Sequence, residues 1–109
     1  MAEKCIVQQE WEGFFDELWK KIKNLDEKVE IEIVAPSVFE GEEGKCLKII
    51  GLSYDPKDNV VSVACENIAH LIHNPQEISV YEEDGAIKQI RINDSSGAEH
   101  IIKFLVPIK

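Results

Sequence analysis

Cys65, His70 and His73 lie close together in the run Cys-Glu-Asn-Ile-Ala-His-Leu-Ile-His-Asn-Pro over 65–75. A thiolate and two imidazoles are the right atom types for zinc, and histidines three apart meet on one face if the segment is helical. A structural zinc site takes four ligands, so Cys46, His100 or a carboxylate would have to complete the set. The spacing Cys-x4-His-x2-His is not that of a zinc finger. Cys65 and His70 could instead pair as nucleophile and base, which requires a thiolate stabilised by imidazole or by a helix N-terminus. No Gly-rich oxyanion loop or nucleophile elbow accompanies them, and acidic surroundings raise a thiol pKa. The plainer reading makes Cys65 a buried strand residue. His70 then hydrogen-bonds backbone groups freed by an irregular crossover that Asn74-Pro75 ends.

A third use for the segment is ligand binding. His70, with Asn67 and Asn74, offers small uncharged polar groups of the kind that line a ligand or peptide site. Other motifs are silent. Glu40, Glu42 and Glu43, and Glu82, Glu83 and Asp84, lack the alternation of a calcium loop. No Gly-rich loop would cradle a phosphate, so no cofactor is expected.

Charge narrows the partners further. The formal net charge is −9 and Arg91 is the sole arginine, a poor match for nucleic acid or an anionic membrane surface. Lys20, Lys21 and Lys23 do cluster, but where they complement the C-terminal end of a helix dipole. No apolar run approaches the ~20 residues that span a bilayer. Three cysteines without framework spacing suggest small buried hydrophobes in a reducing, cytoplasmic compartment.

The elements that must position these groups follow from periodicity. Trp11, Phe14, Phe15, Leu18, Trp19, Ile22 and Leu25 fall at helical spacing and predict a helix over about 8–25. Gly13 inside it costs roughly 1 kcal/mol against alanine and suggests close approach to a strand. Twofold alternation then predicts strands over about 28–35, 46–54, 59–65, 77–82, 87–92 and 99–106. Gly51 marks a change of phase and hence a bulge. Short turns between strands force antiparallel neighbours. The expectation is one α+β domain over 1–109, an N-terminal amphipathic helix on a twisted antiparallel meander of about six strands.

One sheet face, through Ile31, Ile33, Leu47, Ile49, Val61, Val63, Ile78, Val80, Ile90, Ile92, Ile102 and Phe104, should meet the helix. The other mixes Glu30, Glu32, Arg91 and Lys103 with Val34, Ile50, Ile87, Ile101 and Leu105. So many aliphatics on an outer face imply a sheet curling toward a barrel or a covering partner, most simply a homodimer.

Several of these motifs together resemble a family of small, mostly bacterial single-domain proteins of unknown function. Trp11-Glu12-Gly13-Phe14-Phe15-Asp16 is similar to that family's opening helix. The strands over Leu47–Tyr54 and Asn59–Val63 are similar to the two that follow. His70-Leu71-Ile72-His73-Asn74-Pro75 resembles its H-x-I-x-N-P element, with His70 rather than His73 at the motif position. The resemblance runs from about Val7 to Phe104 and implies a compact domain with no assigned activity. With no complete catalytic constellation, the expectation is a non-enzymatic protein- or ligand-binding module. The alternative is a small enzyme or metal protein using Cys65, His70 and His73.

Overall fold

A 3-10 turn at Gln8–Glu10 leads into the helix α1, Trp11–Lys23. The structure, a computed structural model, describes residues 2–25, 29–35, 45–46 and 48–109. Trp11, Phe15, Leu18 and Ile22 are buried, with Phe14 and Trp19 packed beside them, so the helical stripe becomes one face of the core. The helix ends at Lys23, which leaves Leu25 off that face and exposed. Gly13 also departs from expectation. A Cβ built there meets nothing within 4 Å, so no strand among the described residues packs against it.

Nine strands accompany the helix among the described residues: β1 (Ala2–Ile6), β2 (Ile31–Val34), β3 (Lys45–Cys46), β4 (Ile49–Asp55), β5 (Val60–Cys65), β6 (Ala69–His73), β7 (Pro75–Glu83), β8 (Ala86–Asp94) and β9 (Glu99–Ile108). The fold is therefore α+β, with one N-terminal helix on antiparallel sheets. In place of one meander there are two. A three-stranded sheet runs β4-β5-β6, and a six-stranded sheet runs β1-β7-β8-β9-β2-β3. The larger is the meander β7-β8-β9, extended by β1 on one edge and by β2 and β3 on the other. Neither sheet closes on itself, so the outward aliphatics are not gathered inside a barrel.

One residue separates the two meanders. Asn74 lies between β6 and β7 with φ 55°, a left-handed value that asparagine tolerates better than most residues. Its N–H donates to Asn59 O, and its own carbonyl accepts from Ser95 N–H. The corner thus ties together the β4–β5 turn and the β8–β9 turn.

Two strands lie where the sequence signal is weak. In β1 Ile6 is buried, and Glu3, Lys4 and Cys5 are exposed; charge on an edge strand is how proteins discourage further pairing. The Trp11 indole N–H donates to Ile6 O at 2.9 Å and pins this edge to the helix. In β6 the run that suggested an irregular crossover alternates regularly, with His70 and Ile72 buried and Leu71 and His73 exposed.

The expected bulge at Gly51 is present, as a register shift between Ile49 and Gly51. Another irregularity, at Lys88 between Ile87 and Gln89, changes the phase of β8. It places Ile87 in the core beside Ala86, so Ile87 does not belong to the outer face as its spacing suggested. The predicted inward set is otherwise buried, except Leu47, which with Pro36 and the loop bearing Glu40, Glu42 and Glu43 lies outside the described residues. Cys46 and Cys65 are not free buried thiols. They form a disulfide that joins β3 of the large sheet to β5 of the small one, while Cys5 is free and exposed. The cysteines therefore no longer argue for a reducing compartment. No helix among the described residues is long and apolar enough to cross a membrane.

Candidate functional site

A strand sends successive side chains to opposite faces, and in β6 this divides the two histidines. His70 points inward and is 7% exposed; His73 points outward. Three residues apart on a strand, they cannot share a ligand as they could on a helix. Cys65 is bonded to Cys46. The trio Cys65, His70 and His73 thus does not converge. No group of three or more histidine, cysteine, aspartate or glutamate side chains among the described residues is arranged to hold a metal.

Asn67, His70 and Asn74 are not gathered either. Asn67 Nδ2–H donates to Lys45 O at 2.8 Å, at the β5–β6 turn. Asn74 makes the corner at the other end of β6. Each has a structural task of its own, and His70 lies between them, on the inner face.

What His70 does meet is His100, with Nε2 of the first 3.0 Å from Nδ1 of the second. His100 is 5% exposed on the inner face of β9, and its Nε2 lies 2.8 Å from Asp94 Oδ2. Asp94 is set by the tight β8–β9 turn. Its Oδ1 accepts from Ser96 N–H at 2.9 Å, Ser96 Oγ–H at 2.6 Å and Ala98 N–H at 3.0 Å. Gly97, at φ 89°, lets the chain turn back. The Ser96 hydroxyl, then His100, then the backbone N–H groups hold the Asp94 carboxyl well below the usual carboxylate range, outweighing its partial burial. It is ionised at neutral pH.

A fixed carboxylate orders the protons along the chain. It can only accept, so His100 Nε2 carries hydrogen and donates to it. In neutral His100 the other nitrogen, Nδ1, is then the acceptor, and His70 Nε2–H donates to it. Burial, and after it the neighbouring His100, pushes the His70 pKa below its ordinary value. The result is a one-directional chain, His70 to His100 to Asp94, running from the small sheet across to the large one.

Asp-His-His order could pass a proton. A reaction would also need substrate at the far end, and His70 is nearly closed to solvent there. Cys65, the sulfur that could have served as nucleophile, is tied up in a disulfide and has no thiolate to attack with. The geometry fits a buried clamp better than an active site.

The outer face of the same sheet is open. The register aligns Ser53, Ser62 and Leu71 in one cross-strand row and Asp55, Val60 and His73 in the next row exposed to solvent. Together with Asp58 from the turn they line a groove of about 520 Å³. Asp55 Oδ1 accepts from Lys57 N–H at 2.9 Å, which shapes the turn that ends the groove. A larger hollow, about 590 Å³, lies along the helix between Gly13, Phe14 and Leu18 and the β1 residues Lys4 and Ile6.

Sequence reasoning named His100 only as a possible fourth metal ligand, and missed it, with Asp94, as a hydrogen-bond partner in the His70 chain. A signal existed: His100 is in phase with Ile102 and Phe104, as His70 is with Ile72, so both histidines belong to inward positions. Nothing in the sequence paired them.

With this geometry in hand, the comparisons with known proteins add a family and no chemistry. A profile described as "Family of unknown function (DUF5335)" matches residues 2–109. The chain is 38% identical over 104 residues to an uncharacterised protein of Aquifex aeolicus (strain VF5), covering 94% of this chain and 92% of that one. No solved structure matches.

Proposed function

The chain belongs to this family of unknown function, and from that premise we propose that it is a non-enzymatic binding module whose recognition surface is the outer face of the three-stranded sheet. The observation that carries the reading is the groove over β4, β5 and β6. Its floor is made of small side chains, Ser53 and Ser62, which let another backbone come close. Leu71, half exposed at 50%, offers an apolar contact, and Asp55, Asp58 and His73 offer polar ones. Among the described residues two carboxylates and no lysine or arginine line it, within a protein of net charge −9. An extended partner segment carrying a lysine or arginine is the occupant this favours.

Titration of the folded protein with a short lysine-containing peptide, followed by amide chemical shifts, tests this directly. Shifts should map to Ser53, Ser62, Leu71 and His73 and weaken with added salt. Asn in place of both Asp55 and Asp58 keeps the turn chemistry and should abolish most of the binding. Shifts confined to the hollow beside Gly13, or none at all, would remove the proposal.

A second reading is self-association through the outer face of the six-stranded sheet. Leu105 is 56% exposed, near half-buried Ile101 and Val34. Against it, the same face carries ion pairs, Arg91 with Glu3 and Glu99 and Lys103 with Glu32, and Ile87 has left it for the core. Light scattering across a wide concentration range decides: a concentration-dependent dimer supports this reading and a strict monomer ends it. A cytoplasmic location stays part of the proposal on the acidic charge alone, and the Cys46–Cys65 disulfide weighs against it.

A further inference from the structure

Strand β6 belongs to the small sheet and β9 to the large one, so the His70–His100 hydrogen bond is a polar link across the interface between sheets. Such a bond needs one donor and one acceptor between the facing nitrogens. The pair satisfies this with no added proton, or with one. A second proton aims two N–H groups at each other across 3.0 Å and sets two positive charges side by side in a buried place.

The groups facing the pair do not relieve that conflict. Asp94, from the β8–β9 turn, meets the His100 end of the chain at 2.8 Å and can balance one charge. From β5 the residue opposite His70 is Val63, and from β8 the residue opposite His100 is Ile92, both fully buried. His73 on β6 and Glu99 on β9 are exposed, away from the buried pair.

We propose that His70–His100 is a pH-sensitive latch, which holds β6 against β9 at neutral pH and releases it on acidification. The strand is placed to move. It is the edge of its sheet, paired with β5 alone, and it ends at the Asn74 corner, which backbone bonds to Asn59 and Ser95 keep anchored while the strand before it opens. Burial and the neighbouring imidazole both lower the His70 pKa from its ordinary 6.5, so the open state binds the extra proton more readily than the closed one. Opening is then favoured as pH falls below 6.5, by at most about tenfold per pH unit for one proton.

Amide hydrogen exchange on the full chain, corrected for intrinsic rates, reads the latch between about pH 7.5 and about pH 5, the range in which histidine changes charge. The β6 amides should open progressively more as pH falls, approaching about tenfold per unit, while β8 amides do not follow. His70→Gln keeps an N–H able to reach His100 Nδ1 but does not titrate, and it should flatten the β6 dependence. Should that variant not fold, nitrogen spectra of the wild-type imidazoles decide, since the closed state must hold no more than one added proton across the two rings. Equal pH dependence in β6 and β8, an unchanged slope in His70→Gln, or two charged rings with β6 closed would each overturn the latch.

Discussion

The two faces of the three-stranded sheet carry chemically similar residues to opposite ends. Inward, His70 is committed to His100 and through it to Asp94, with a hydrogen bond on each side of the middle ring. Outward, His73 shares an open groove with Asp55 and Asp58. The same side chain, three positions along one strand, is structural on one face and available on the other. Burial decides between these fates: a buried polar group must be satisfied internally at a cost of about 1–3 kcal/mol if it is not, whereas an exposed one has water as its alternative.

The contrast predicts that inner-face changes cost stability and outer-face changes cost binding. The largest stability effect belongs to the staple beside the inner face. The Cys46–Cys65 bond closes a sequence separation of 19 residues, so replacing both with serine should lower unfolding free energy by about 3 kcal/mol in a denaturant titration. Wild-type protein denatured without reductant should titrate Cys5 alone as a free thiol. Three titratable thiols would mean that the sheets are not stapled.

Next comes Asp94→Ala, which strips the acceptor from His100, Ser96 and Ala98 together. A loss of about 2 kcal/mol is expected at neutral pH. The acid side of the stability profile should show both groups. Each has a folded pKa below its unfolded one, so each contributes stability that is present at higher pH and lost as pH falls. His70 acts below its ordinary 6.5, and Asp94 acts lower, below its ordinary 3.8. Asp94→Ala should remove the second decline.

Smaller effects separate helix from sheet. Gly13→Ala fills open space on an exposed helix surface and should stabilise by about 0.5–1 kcal/mol. On the outer face, Leu71→Ser and His73→Ala should each change stability by no more than about 0.5 kcal/mol while weakening peptide binding. A large loss of stability in either would erase the distinction between the faces.

Much of the frame was legible in the chain. The helical stripe of Trp11, Phe15, Leu18 and Ile22, the alternation in β2 and β5 and the bulge at Gly51 are all local patterns, and local patterns survive folding when one face is buried. The β1 edge strand was not legible because Ile6, with Glu3, Lys4 and Cys5 exposed before it, carries no period. The β6 strand was hidden for a different reason: its inward period is written partly in histidine, which invites a chemical reading where the position demands a core residue. The site itself was half visible. His70 stood out, but His100 lies thirty residues away in sequence and Asp94 looks like ordinary turn chemistry. Nor does sequence alone bring Cys46 to Cys65. Both pairings depend on how two sheets stack, which strand periodicity does not encode.

Carbethoxylation of the folded protein by diethylpyrocarbonate at neutral pH, mapped by peptide mass, tests the division between faces most directly. The account predicts rapid modification of His73, with His70 and His100 protected until the protein unfolds. Modification of His70 as fast as His73 would contradict it, because the inner histidine would then be as accessible as the outer one.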